Sequence, residues 1–313
     1  MPTVLPAVNK GRFLSVLDMD HATLEACLAL AAELKVARAA GRPHDKPLAG
    51  KHVALLFEKP SLRTRSTFQI AVRELGGDVI EPPADAALGG RETIADVARN
   101  LERWVHGVVV RTYAQAKLEA LADAAPRLRV VNALTDEEHP CQALADCQTL
   151  LERWGSLRGK VITFVGDGNN VANSLAQAAV MLGAHVRIAS PEGFELPAAA
   201  AAAIRGVARF GATLTLVTDP VAGVKDADAV YTDVWTSMGQ EAETAARLEV
   251  FAPYQVNAAL MAHARPGALF MHCLPAHRGD EVTDEVIDSP VSVVFDQSEN
   301  RLHAQKALLA MLA

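Results

Sequence analysis

Two hydrophobic rhythms alternate along the chain. A helical pattern over Asp20 to Ala39 gives way to a strand-like run, His52 to Phe57, and then to a second helical pattern with Phe68, Ala71, Val72 and Leu75 on one face. Three further apolar runs, Asp78 to Ile80, Gly107 to Arg111 and Leu128 to Val131, alternate with helical stretches. The second half repeats the scheme with strands expected at Val161 to Val165, His185 to Ala189, Thr213 to Val217, Ala229 to Thr232 and Ala268 to His272. Each is short, apolar and bounded by Gly, Pro or Asp.

This β-α-β-α order predicts the α/β class, with two doubly wound parallel-sheet domains, the second Rossmann-like. The helical run Gln142 to Trp154, followed by Gly155-Ser156-Leu157-Arg158-Gly159, reads as a connecting helix and a boundary, so the domains are expected at 1–150 and 151–296. Gln297 to Ala313 reads as an amphipathic terminal helix. The alanine run Ala198 to Ala203 favours helix and reads as a surface element without a functional role. Ligands of open parallel sheets bind beyond the carboxyl ends of strands. The chemically distinctive segments all follow a predicted strand or open a helix, so they are expected to converge on one cleft between the domains.

Composition narrows the class. With 313 residues, half of them apolar, the chain is long enough for two cored domains. No window has the continuous apolar length of a membrane span, and Met1 to Phe13 lacks the basic-then-apolar layout of a secretion signal. A cytoplasmic location and no membrane partner are the expectation. A formal charge of −7 without a basic stripe argues against nucleic acid as a partner. Cys27, Cys141, Cys147 and Cys273 form no C-x-x-C pair, so neither zinc nor a disulfide is expected.

The most informative segment is Phe57-Glu58-Lys59-Pro60-Ser61-Leu62-Arg63-Thr64-Arg65, a loop leading from a strand into a helix. A helix start offers unpaired N–H groups and about half a positive charge, and a Ser, a Thr and two Arg are added to it here. The combination suits a phosphate-sized dianion. Taken alone, the segment reads equally well as an N-cap serine beside surface arginines. Four more segments change the balance: His139-Pro140-Cys141-Gln142, Gly166-Asp167-Gly168-Asn169-Asn170, Asp233-Val234-Trp235-Thr236-Ser237-Met238-Gly239-Gln240-Glu241, and His272-Cys273-Leu274-Pro275-Ala276-His277-Arg278-Gly279. In this order, over nearly the whole chain, the five segments closely resemble the ornithine carbamoyltransferase family.

The resemblance implies a carbamoyl-phosphate-binding first domain, completed by the terminal helix at about 297–313, and an ornithine-binding second domain. It implies that Ser61, Arg63 and Thr64, with backbone N–H groups around Leu62, hold the phosphate. Arg63 suits a bidentate contact better than lysine would. Arg111, at a strand end, would bridge phosphate and carbonyl oxygen; an arginine there is costly unless it meets an anion. His139 precedes a proline and a helix start, which disfavours the imidazolium and fits a neutral donor to the carbonyl oxygen. Gln142 would bond the carbamoyl amide, Leu274 would offer a backbone carbonyl to the carbamoyl NH₂, and Arg301 would reach the carbamoyl oxygen. Leu274-Pro275 is a plausible cis bond.

Gly166-Asp167-Gly168-Asn169-Asn170-Val171 imitates a dinucleotide fingerprint, but Val171 replaces the third glycine and the next strand ends Ile188-Ala189-Ser190-Pro191 without an acid for a ribose. By resemblance, Asn170 instead meets the carboxylate of the amino-acid substrate, Asp233 takes its α-ammonium, and Ser237 and Met238 orient the rest. The Ser-Met-Gly loop and His-Cys-Leu-Pro separate ornithine enzymes from aspartate ones, which carry His-Pro-Leu-Pro. A δ-amine of pKa about 10.4 is neutral in only about one molecule in a thousand near pH 7.5, a cost of roughly 4 kcal/mol. In the family's arrangement Cys273 pairs with that amine and relays its proton, with Asp233 assisting.

Three departures from the family pattern stand out. Cys141 occupies a usual Thr position, and Leu62 another. The third lies in the loop from Ala84 to Glu92, where many relatives place a Gln or His near Ala87 that reaches the neighbouring subunit's phosphate site; alanine cannot.

The implied reaction is carbamoyl phosphate plus L-ornithine to L-citrulline and phosphate, in arginine metabolism, without metal or organic cofactor, by a homotrimer or an assembly of trimers. Transfer to putrescine or an acylated ornithine, a binding homologue without turnover, and a nucleotide-dependent oxidoreductase stay open at this point.

Overall fold

The computed structural model describes residues 8, 11–83, 87–88, 90–236 and 243–313. The chain divides into two compact units, residues 1–148 with 299–313, and residues 149–298.

In the first unit the described residues form a parallel sheet of β1 (Arg12–Phe13), β2 (His52–Phe57), β3 (Asp78–Ile80), β4 (Gly107–Arg111) and β5 (Arg129–Leu134), in the order β1-β5-β4-β2-β3. The inner strands are mostly apolar because helices cover both faces, and every residue of β4 is buried. Chain direction across the sheet reverses between β2 and β4, where Phe57 pairs with Arg111. That reversal is the place where loops diverge and leave room for a ligand. A register shift between Val110 and Arg111 breaks the β4 to β5 ladder there. Such a bulge re-aims the side chain beside it.

Several boundaries differ from the periodicity, most by one or two residues. β5 runs on to Leu134 because Asn132, which interrupts the apolar pattern, places its NH₂ group inside the core on the Leu14 carbonyl at 2.8 Å. β1 has only two residues, too few to give an alternation. The terminal helix, Val294–Leu312, starts three residues earlier than its pattern suggested, and residues 299–313 lie in the first unit. There Leu309 and Leu312 face Leu48, Val53 and Val109, Lys35 Nζ donates to Asn300 at 2.8 Å, and the buried Lys306 pairs with Glu74.

The second unit has a parallel sheet of β6 (Val161–Val165), β7 (His185–Ala189), β8 (Leu214–Val217), β9 (Ala229–Thr232) and β10 (Leu269–His272), in the order β10-β9-β6-β7-β8. Its reversal falls between β6 and β9, where Val165 pairs with Thr232. The Gly166 to Asn170 turn and Asp233 leave the sheet at that point. The alanine run forms the helix Ala198–Val207, held on the unit by buried Ala201 and Ile204.

Candidate active site

In the first unit, helix Leu62–Glu74 begins at the β2 carboxyl end, and Ser61 caps it by accepting the Thr64 N–H at 3.2 Å. The loop before it is pinned from two sides. Glu58 takes hydrogen bonds from Thr112 Oγ1 and Lys117, and its N–H donates to the Arg111 carbonyl at 2.8 Å. Lys59, buried although charged, pairs with Asp136 and lies 4.2 Å above the Tyr113 ring. The helix start is thereby fixed to the loops that follow β4 and β5. Leu62 itself is 80% exposed, so an apolar side chain here covers no core. Its backbone N–H belongs to the unpaired first turn.

Four cationic or polar groups converge behind this helix start. Arg301, from the terminal helix, donates to Thr64 Oγ1 and to Gln142 Oε1, and Gln142 Nε2 donates to Asp146 at 2.8 Å. The Gln142 amide therefore has one orientation, with its oxygen toward the guanidinium. Arg111 and His139 are buried at the ends of β4 and of the β5 loop. Burial, followed by the charges of Arg301 and Arg111, holds the His139 imidazole well below its usual pKa, so it is neutral. A neutral ring beside two guanidinium groups can donate to an oxygen that gains negative charge. Cys141 lies one helical step away but donates to the Asn132 carbonyl at 3.3 Å, and burial pushes its thiol up to about 12. It is an inert core group.

In the second unit Asp233 leaves β9 between two partners. Its Oδ1 accepts from Cys273 Sγ at 2.9 Å and its Oδ2 accepts from Asn169 Nδ2 at 3.0 Å. Asn169 also caps helix Asn170–Met181, accepting from the Val171 and Ala172 N–H groups, so one side chain fixes both the helix start and the carboxylate. Asn170 opens that helix, half-buried. Arg247 ties the surrounding loops together: it is stacked near Phe194 and Phe251, donates to the Trp235 carbonyl at 2.6 Å, and pairs with Asp167. Burial lifts the Asp167 carboxyl to about 6, against the opposing pull of Arg247.

The segment after β10 is anchored from beneath. His272 Nδ1 accepts the Leu274 N–H at 2.8 Å, and its Nε2 lies 3.1 Å from Glu281 Oε1, which also takes the His277 N–H at 2.6 Å. Leu274 has φ of +59°, a left-handed conformation costing an L residue about 1–2 kcal/mol, and its bond to Pro275 is cis. Among the described residues, two groups bring three potential metal ligands together: Asp233, His272 and Cys273, and His277, Asp280 and Glu281. In the first, both His272 nitrogens are already committed.

The structure brings Ser61, Leu62, Arg63, Thr64, Arg111, His139, Gln142 and Arg301 into the first unit, and Asn170, Asp233, Cys273 and Leu274 into the second. Ser237 and Met238 lie outside the described residues, as does part of the 84–92 loop. Ala87 and Leu88 of that loop pack into the first unit's core. Periodicity and motif reading missed Lys59, Asn169, Arg247 and Glu281 as organising groups. Lys59 stands inside the phosphate segment and could have been noticed as a charge in an apolar setting. Arg247 gives no local signal, because its partner Asp167 lies 80 residues earlier.

Two parallel α/β units, one with a cation-rich helix start and a neutral imidazole, the other with a thiol on a carboxylate, are the parts that a group-transfer enzyme with an anionic leaving group and an amine acceptor needs. Residues 12–152 match the carbamoyl-P binding domain of aspartate/ornithine carbamoyltransferases, and residues 158–312 match the Asp/Orn binding domain. Ornithine carbamoyltransferase of Thermococcus kodakarensis is 51% identical over 297 residues, 94% of each chain, and that of Bacillus subtilis is 49% identical over 99% of this chain and 96% of its own. The solved structure of ornithine carbamoyltransferase from Pyrococcus furiosus superposes with a TM-score of 0.94 at 47% identity, covering 98% of both chains. The chain belongs to the aspartate/ornithine carbamoyltransferase family.

Proposed function

We propose that the chain transfers the carbamoyl group of carbamoyl phosphate to the δ-amino group of L-ornithine, giving L-citrulline and phosphate. The observation that carries the choice of ornithine over aspartate is Cys273 Sγ on Asp233 Oδ1 at 2.9 Å. A thiol beside a carboxylate suits a cationic amine substrate, whereas aspartate brings a second anion that this pair would repel.

In this reading the first unit takes the donor. Ser61, Thr64, the backbone at Leu62, Arg63 and Arg111 hold the phosphate, while Arg111, His139 and Arg301 face the carbonyl oxygen and Gln142 and the Leu274 carbonyl face the NH₂ group. The second unit takes the acceptor, with Asp233 on the α-ammonium, Asn170 on the carboxylate, and Ser237 and Met238 beside the chain of the substrate. The δ-ammonium first hands a proton to the Cys273 sulfur as the thiol passes its own proton to Asp233 Oδ1, to which it is already bonded. The neutral nitrogen then attacks the carbonyl carbon and the C=O pair moves onto oxygen, where the cations stabilise it. The pair returns as the C–O bond to phosphate breaks, and the nitrogen passes its second proton to the departing phosphate. Arg301, already aimed by Thr64 and Gln142, is preorganised for the oxyanion. The family pattern supports a homotrimer working in the cytoplasm; among the described residues no helix is long and apolar enough to cross a membrane.

The test is citrulline formation from carbamoyl phosphate, with L-ornithine compared against putrescine, N-acetylornithine and aspartate under the same conditions. A strong preference for ornithine is expected. Preference for another amine overturns the roles of Asp233, Ser237 and Cys273 and leaves the phosphate half intact.

A further inference from the structure

We infer that His272 is a positioning residue for the Cys273-Leu274 segment, and that Glu281 sets the ring tautomer on which this depends. The inference rests on the reading above in one respect: Cys273 Sγ and the Leu274 carbonyl are taken to face the reacting groups.

The segment is clamped at two points. Cys273 Sγ is held by Asp233, and the next N–H, that of Leu274, is held by His272 Nδ1 at 2.8 Å. An imidazole nitrogen accepts a hydrogen bond only when it carries no proton. The proton of the neutral ring must then sit on Nε2, which lies 3.1 Å from Glu281 Oε1 with both side chains wholly buried. A carboxylate accepts and cannot donate while ionised, so it selects the Nε2–H tautomer and leaves Nδ1 open for Leu274. The same Glu281 oxygen takes the His277 N–H at 2.6 Å, so one carboxylate fixes both the start and the end of the segment 273–277.

The consequence is directional. Leu274 keeps a backbone conformation rare for a branched side chain, with φ of +59°, and the bond from its N–H to His272 opposes relaxation. Release of that N–H would free the Cys273–Leu274 peptide to rotate, which changes φ at Leu274 and so moves the Leu274 carbonyl. His272 is thus not a substrate ligand, although it stands in the most distinctive motif of the second unit. Both its ring nitrogens are engaged within the protein, by Glu281 and by the Leu274 N–H, although one of them lies within 4.8 Å of the Cys273 sulfur; its backbone N–H donates to Gln297 Oε1 at 3.1 Å.

Two substitutions separate positioning from bulk packing, because Asn places an acceptor where Nδ1 stands and Gln places a donor where Nε2 stands. Amide hydrogen exchange of the peptide spanning 272–279 is read first. H272N is expected to keep the Leu274 amide protected, while H272Q and E281L expose it by at least about 30-fold, the equivalent of one buried hydrogen bond. In citrulline formation H272N should stay within about 5-fold of wild-type kcat. H272Q should lose about 30-fold in kcat with the KM for ornithine changed less than about 3-fold. Equal loss in H272N and H272Q, or a protected Leu274 amide in E281L, overturns the inference. Should the variants not fold, ring ¹⁵N spectra of the wild-type protein decide: a His272 signal with the proton on Nδ1 overturns it, and one on Nε2 supports it. If the wild type makes no citrulline, the proposed function fails, while the exchange and ring-nitrogen results still judge the clamp on their own.

Discussion

Cys273 Sγ and Asp233 Oδ1 are 2.9 Å apart, with the thiol as donor, and the other oxygen of Asp233 is taken by Asn169. The carboxylate is therefore fixed in place before any amino acid arrives, and its negative charge is shared between a neutral thiol and a neutral amide. Asp233→Asn keeps the shape but removes the charge that faces an ammonium and puts an NH₂ donor in place of one of the two accepting oxygens. Loss of a charge-assisted contact costs about 1.5–3 kcal/mol. Steady-state kinetics should show the KM for ornithine rising by about 10- to 100-fold with the KM for carbamoyl phosphate unchanged. An unchanged ornithine KM would remove Asp233 from the amino-acid site.

Arg301 reaches two acceptors, Thr64 Oγ1 and Gln142 Oε1, from a helix that begins 230 residues further along the chain than Thr64. A planar guanidinium can hold both and still present N–H groups to an oxyanion; a lysine ammonium is a point charge on a flexible stem. Arg301→Lys is accordingly expected to lower kcat/KM by at least about 100-fold, although the charge is conserved. Activity within about 5-fold of wild type would show that charge alone suffices and that the fork has no role.

How far the sequence reaches is best seen residue by residue. The strands His52–Phe57, Gly107–Arg111 and Val161–Val165 stand where continuous apolar runs placed them, because a parallel sheet covered on both faces needs apolar side chains in both directions. Thr64, Arg111, His139 and Gln142 were singled out by resemblance at strand ends and helix starts, and the structure places all four in the first unit. Lys59, Arg247 and Glu281 were not singled out. Their function is to hold loops to one another through Asp136, Asp167 and His272, and such pairings depend on tertiary contacts that leave no period in the chain. His272 was read as part of a motif, but only the geometry shows that its two ring nitrogens are taken by Glu281 and by the Leu274 N–H.

His139 makes a pH prediction. Its pKa in the folded protein lies well below the ordinary value because burial and two guanidinium groups oppose the charged ring. The unfolded chain, with a histidine pKa of about 6.5, binds the extra proton first as pH falls. Stability contributed by the neutral ring is therefore full above about pH 6.5 and is lost on acidification below it. Between pH 7.5 and 5.5 this single group should remove about 1 kcal/mol. Denaturant titrations of wild type and His139→Asn at both pH values check this: the wild type should lose about that much more than the variant, since His106 and His303, also depressed by burial, remain in both. Parallel losses would show that the ring is charged, or already solvated, in the folded protein.

Gly168 offers the sharpest structural test of the amino-acid half. A Cβ built there falls 2.3 Å from the Leu196 nitrogen and 2.6 Å from the Glu195 carbonyl carbon, while the Gly168 N–H donates to the Phe194 carbonyl at 2.8 Å. The clash is with backbone, which cannot swing aside as a side chain would, so either the 193–196 loop or the 166–170 turn must move. The turn carries Asn169, and a shift there uncouples the helix cap from Asp233. Gly168→Ala should destabilise the protein by about 1–3 kcal/mol and raise the KM for ornithine by about 10-fold, leaving carbamoyl phosphate binding as it was. Gly206→Ala is the matched control: it lies in helix Ala198–Val207 with nothing within 4 Å of a new Cβ. There the same methyl group should stabilise by about 0.5–1 kcal/mol with unchanged kinetics. Thermal melts and kinetics on the two variants give opposite signs if the Gly-x-Gly turn is set by backbone crowding; a Gly168→Ala protein with wild-type melting and wild-type ornithine KM would show that the turn tolerates a side chain and that its glycine answers to something else.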